Sequence, residues 1–193
     1  MIPLSEIRLR FPDMHRSRLS QWQRRGLLFK VRNGFYRLAE RQKNDQERWA
    51  IANAIYTPSY VSMRTALAHY GFIPEGVFHV ESVTTSHTRR FTFDGTDYSY
   101  RNVRPGFFFG YRFLEHGGVR VMMAGPEKAL LDLLYLEPDV NGPEAFEAWR
   151  LNAEDIDAKI DPARMDDFAK VEGSRALLTR YRRLKKWLHD HAG

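Results

Sequence analysis

The sequence predicts an α+β protein in which a small helical module ending in a β-hairpin precedes a larger domain with a mostly antiparallel sheet flanked by helices. Three observations carry this. Residues 24–38, RRGLLFKVRNGFYRL, place Asn-Gly between two runs of alternating basic and apolar residues. Residues 39–46, AERQKNDQ, have almost no apolar content and read as a surface connection. Beyond them the apolar period changes from helical to strand-like and back again. The boundary therefore falls near residue 44, with a first domain over 1–44 and a second over 45–193.

The elements follow in order. LSEIRLRF (4–11) has Leu4, Ile7 and Phe11 at helical spacing. DMHRSRLSQWQRRG runs from Asp13, a helix-capping residue, to Gly26, suited to the C′ position. At 100° per residue, His15, Leu19, Trp22 and Gly26 share one side. The opposite side carries Ser17, Ser20, Gln21 and Arg24, flanked by Arg16, Arg18 and Arg25. Asn33-Gly34 fits a two-residue type I′ turn, because both residues tolerate positive φ. That turn sets Arg32 opposite Phe35, Val31 opposite Tyr36, Lys30 opposite Arg37, and Phe29 opposite Leu38. One face would then hold Phe29, Val31, Tyr36 and Leu38, and the other Lys30, Arg32, Arg37 and Phe35.

Helix, turn, helix, hairpin is the order of a winged helix-turn-helix. Arg and Gln suit guanine and adenine edges in the major groove, Ser suits either, and the remaining cations suit phosphates. Ser17, Ser20, Gln21 and Arg24 are thus expected at bases, and Arg16, Arg18, Arg25, Lys30, Arg32 and Arg37 at the backbone. Charge agrees. Residues 1–38 hold nine Lys/Arg against Glu6 and Asp13, whereas the whole chain of 193 residues has a net charge of +6. Such concentration is the footprint of a nucleic-acid-binding element. Winged modules generally begin with one more helix, so either the second domain or a second subunit covers the open core, or the module is a minimal version.

In the larger domain, ERWAIANAIY (47–56) reads as a helix with Trp49, Ala52 and Ile55 or Tyr56 inward, ended by Pro58. MRTALAHYG (63–71) is a second, closed by Gly71. Strands are expected in HVESVTTS, RRFTFDG, DYSYRNV, FFFGYRFLE and GVRVMMA, with turns at Asp94-Gly95 and Gly117-Gly118. Pro126 suits the first position of an apolar helix with Leu130, Leu131 and Leu134 inward. The last helix has Leu177, Tyr181, Leu184 and Leu188 on one side and Arg175, Arg180, Arg182, Arg183, Lys185 and Lys186 on the other. Residues 139–172, by contrast, are acidic.

PSYVSMRTALAHYGFIPE, SVTTSHTRRF, YSYRNVRPGFFFGY and AGPEKALLDLLYLEP, in this order over residues 47–138, resemble the AbiEi family of antitoxins. The resemblance implies an N-terminal winged helix that binds inverted repeats in its own promoter, as a dimer on DNA, and represses the operon. It implies also a second domain that counters a nucleotidyltransferase-like toxin in defence against phage. The chain past about residue 140 has no counterpart among these motifs.

Function classes narrow accordingly. With no cysteine, disulfides, thiolate metal sites and a Cys nucleophile are excluded. No run reaches the ~18 apolar residues that span a bilayer, and no signal-like segment opens the chain, so a cytoplasmic protein without a membrane partner is expected. No phosphate-cradling Gly loop and no G-x-S-x-G elbow occur. His189-Asp190-His191 lacks a further ligand, and Glu127, Lys128 and Asp132 fit no two-carboxylate metal site. No catalytic residue, metal or cofactor is therefore expected. Thr85, His87, Arg89, Arg90, Arg101 and Arg104 cluster about one hairpin and fit either a phosphate or toxin contact, or a polar sheet face. Two rivals stay open: a winged-helix regulator with an effector site, and a nuclease using Glu127 or Asp132.

Overall fold

The structure, a computed structural model, describes residues 2–32, 34–39, 44–74, 76, 78–116 and 119–192, and only the backbone of Arg16, Arg32, His116, Val119 and Glu172. The expected Asn33-Gly34 and Gly117-Gly118 turns therefore fall wholly or partly outside the described residues. So do the expected phosphate contacts of the Arg16 and Arg32 side chains.

The N-terminal part comprises β1 (Ile2–Pro3), α1 (Leu4–Arg10), α2 (Arg16–Arg24), β2 (Leu28–Arg32) and β3 (Phe35–Leu38), with sheet order β1-β3-β2. Helix, helix, hairpin is the order expected. Strand β1 was not, because two residues carry no readable period. Helix α2 starts at Arg16 rather than after Asp13, with His15 at its N-cap. Gly26, at φ +67°, lets the chain turn into β2. Ile7, Leu19, Leu28 and Tyr36 form a small buried cluster, against which Ile2, Leu4, Met14 and Trp22 pack.

The larger part begins with α3 (Asp45–Ile55), capped by Asn44, whose Oδ1 accepts the Glu47 N–H at 2.8 Å. Its sheet comprises β4 (Ser59–Val61), β5 (Val80–Thr84), β6 (Arg89–Phe93), β7 (Thr96–Asn102), β8 (Tyr111–His116) and β9 (Val119–Ala124), in the order β6-β7-β5-β4-β9-β8. Pairs β6/β7, β4/β5 and β8/β9 are antiparallel, while β5/β7 and β4/β9 are parallel. The sheet is thus mixed, with the antiparallel pairs in the majority. Asp94 and Gly95, at φ +51° and +72°, form the expected tight turn between β6 and β7.

Helices α4 (Met63–Tyr70) and α5 (Pro126–Leu136) follow β4 and β9, and α6 (Pro143–Ala148), α7 (Ala153–Lys159), α8 (Pro162–Glu172) and α9 (Arg175–His191) close the chain. Alternation fixes the layering. Tyr60, Val83 and Arg101 are in register and share one face, where the Tyr60 hydroxyl donates to Asp132 of α5 at 3.0 Å. Tyr100 points to the other face and donates to the Ala52 carbonyl of α3 at 2.6 Å. Helices α3 and α5 therefore cover opposite faces. Leu130, Leu131 and Leu134 of α5 are fully buried, as are Leu177 and Leu184 of α9, on the sides their spacing indicated.

Candidate nucleic-acid interface

Helix α2 is held by one side and offered by the other. Leu19 is buried and Trp22 half-buried in the small core, with Phe11 edge-on to Trp22 at 6.0 Å. Ser17, Arg18, Ser20, Gln21, Arg24 and Arg25 are all exposed. Among the described residues none of these six side chains has a hydrogen-bond or ion-pair partner, and Lys30 of β2 likewise has none. Polar groups without internal partners are satisfied by water, which a ligand can displace.

The hairpin departs from expectation. Arg32 does pair with Phe35, but Val31 bulges, so Lys30 lies opposite Tyr36, Phe29 opposite Arg37, and Leu28 opposite Leu38. A one-residue shift exchanges the two faces of a strand. Leu28, not Phe29, therefore joins Tyr36 in the small core, and Val31 packs against the large one. Arg37 is the consequential correction. Instead of facing DNA it is buried, 4% exposed, and ion-paired to Asp94 in the β6–β7 turn, with its guanidinium 5.1 Å from the Phe29 ring. A buried guanidinium needs a carboxylate; Arg37 keeps the β3 face opposite Tyr36, and that face meets the β6–β7 turn of the larger sheet. The Asp-Gly pair signalled the turn; nothing in the sequence signalled that its carboxylate reaches back 57 residues.

The second cluster is only partly assembled. His87, Arg89, Arg90 and Arg104 are exposed and Thr85 is half-buried. Arg89 and Arg90 are neighbours on β6 and point to opposite faces. Arg101 is committed elsewhere: it donates to Glu137 Oε1 at 2.7 Å and to the Leu136 carbonyl at 2.8 Å, pinning β7 to the end of α5. It is thus a structural tie rather than an open phosphate contact, and the six residues do not form one site.

No known protein family matches the chain, and no curated protein does. Among the described residues no helix is long and apolar enough to cross a membrane.

Geometry also bears on the acidic residues of α5. Asp132 is fully buried, ion-paired to Lys128 and hydrogen-bonded by Ser62 at 2.6 Å and by Tyr60. Burial pushes its carboxyl above the usual range, partly offset by Lys128, and burial with the nearby Asp132 pushes the Tyr60 phenol well up. Lys128 Nζ sits 3.6 Å from the Phe107 ring centroid, with Phe109 and Tyr60 further round it. Glu127, also buried, accepts the Asp161 N–H at 3.0 Å. These groups knot α5 to β4, α4 and α8. FFFG, expected at the start of a strand, is not strand: Pro105–Phe107 form a 3-10 turn, Phe107 is buried with Phe108 and Phe109 packed against the core, and β8 starts only at Tyr111.

The basic face of α9 is divided. Lys185 is paired with Asp166 at 3.0 Å, and Arg183 donates to the Asn141 carbonyl at 2.8 Å, so part of it does meet the acidic segment. Arg175, Arg182 and Lys186 are exposed. His191 stacks on Trp187, with Nδ1 2.8 Å from the Trp187 carbonyl.

Proposed function

We propose that this chain is an antitoxin of the AbiEi type that represses its own operon through its N-terminal module and counters a nucleotidyltransferase-like toxin. The single observation that supports DNA binding most directly is the outward face of α2, where Ser17, Ser20, Gln21 and Arg24 stand exposed beside Arg18 and Arg25, without partners among the described residues. In this reading α2 enters the major groove, Gln21 and Arg24 meet base edges, and Ser17 and Ser20 assist. Arg16, Arg18, Arg25, Lys30 and Arg32 hold phosphates. The toxin-directed half rests on the motif resemblance over residues 47–138.

With Arg37 withdrawn from the phosphate set, five cations remain per module. Log affinity for operator DNA should then fall with log salt at a slope of about −4.5 for each bound module. Titration of the promoter fragment at several salt concentrations measures it, and a slope near zero refutes the phosphate set. Co-expression with the adjacent nucleotidyltransferase tests the other half. An antitoxin restores growth; a regulator answering to a small effector leaves the cells poisoned.

A further inference from the structure

The sheet face that α5 covers at β4 is open at β6. A registered row of side chains crosses it there, Arg90 of β6, Ser99 of β7 and Glu81 of β5. Glu81 organises its surroundings. Its Oε2 accepts the Arg64 backbone N–H at 2.8 Å, while Oε1 lies 3.2 Å from His79 Nε2 and 3.7 Å from the Arg64 guanidinium. That guanidinium stacks 4.2 Å from the centroid of the Trp149 ring. Phe78 projects from the rim, 88% exposed.

Two cavities of about 330 and 380 Å³ share His79 in their walls. The first is walled by Phe78, Trp149 and Arg64, and the second by Arg90, Thr92 and Ser99. Among the described residues, Glu81 is paired with Arg64 and His79, and Asp97 accepts a hydrogen bond from the Thr92 hydroxyl at 2.7 Å. Arg90 has no ion pair among the described residues. Arg90 is therefore a cation open to a ligand in one cavity, and the other cavity supplies flat aromatic surface.

We infer that this cleft binds a nucleotide, its base against Phe78 and the Arg64–Trp149 stack and its phosphate at Arg90. A solvated phenyl ring beside a stacked guanidinium is the arrangement by which proteins hold bases without reading sequence. Each cavity also has the size of a small-ligand site. An acidic polypeptide would instead need several unengaged cations, and the cleft offers Arg90. The site is separate from α2, so its fate is independent of the operator-binding proposal.

The full chain is titrated with AMP, CMP, GMP and UMP, with uridine, with fluorescein-labelled hexauridylate, with inorganic phosphate and with polyglutamate. Nucleotides bind more tightly than phosphate. Phe78→Ala weakens nucleotide binding about tenfold, the scale of one lost stack on a base. Arg90→Ala weakens UMP and leaves uridine unchanged. Both residues are exposed, so neither variant threatens the fold. Hexauridylate bound more tightly than UMP, and weakened by both substitutions, identifies a single strand as the source; equal affinities identify free nucleotides. The inference fails if no nucleotide probe binds or if Phe78→Ala changes nothing. It fails equally if phosphate matches the nucleotides or polyglutamate alone is held.

Discussion

At the scale of single residues, the buried Lys128–Asp132 pair makes the sharpest demand on stability. Removing one member of a buried ion pair leaves the other without compensation and typically costs ~3–5 kcal/mol. Lys128→Met, which keeps the chain length and loses the charge, should fall in that range by urea unfolding. Lys128→Met combined with Asp132→Asn should cost less than the two single changes added together, and a double-mutant cycle that showed simple additivity would deny the coupling. Asp166 gives a pH test. The Tyr181 hydroxyl and then Lys185 hold its carboxylate below the ordinary 3.8. A group depressed in the folded state stabilises above its unfolded pKa and loses that contribution as pH falls through the folded one. Asp166→Asn should therefore be less stable than the parent at pH 7, by about 1 kcal/mol or less for so exposed a site. The two melting curves should converge below pH 3.8.

At the scale of elements, α2 is the one whose chemistry is testable position by position. Arg24→Ala should cost ~1–3 kcal/mol of operator affinity and relax base preference, whereas Arg18→Ala should weaken all sequences alike. Uniform losses in both would mean that α2 lies differently on the duplex. This helix was legible because its two sides differ so plainly, with Leu19 and Trp22 against a run of Arg, Ser and Gln. The hairpin was legible as a hairpin but not in register. Phe29 and Leu28 are adjacent and both apolar, so alternation reads equally well in either frame, and the bulge at Val31 chose between them. Strand β4 left no signal at all, since Ser59, Tyr60 and Val61 are all buried and three residues show no period. The Glu81 cleft was illegible for another reason. Arg64, His79, Arg90 and Trp149 come from four separate segments that only the fold brings together.

At the scale of the whole molecule, the hairpin is fastened to the larger sheet by Arg37 and Asp94 and by Val31 packed on the large core. Asp94→Ala strips a buried guanidinium of this carboxylate and should cost ~2–4 kcal/mol, somewhat below a fully enclosed pair because Asp94 is partly solvated. Amide exchange should quicken selectively in β2 and β3, while β4, β5 and β9 keep their protection. Equal acceleration throughout would show that the two cores unfold as one. The strand order carries a different consequence, for a chain leaving the ribosome. Residues 2–38 contain every partner their small sheet requires, so it can assemble early. Strand β4, inside the large sheet, can pair with β5 early, but its other edge must wait for β9, because Val61 pairs with Met123. Until translation has passed that point, the apolar strands made in between have no finished layer to join, and nascent chains halted there are the ones most exposed to aggregation.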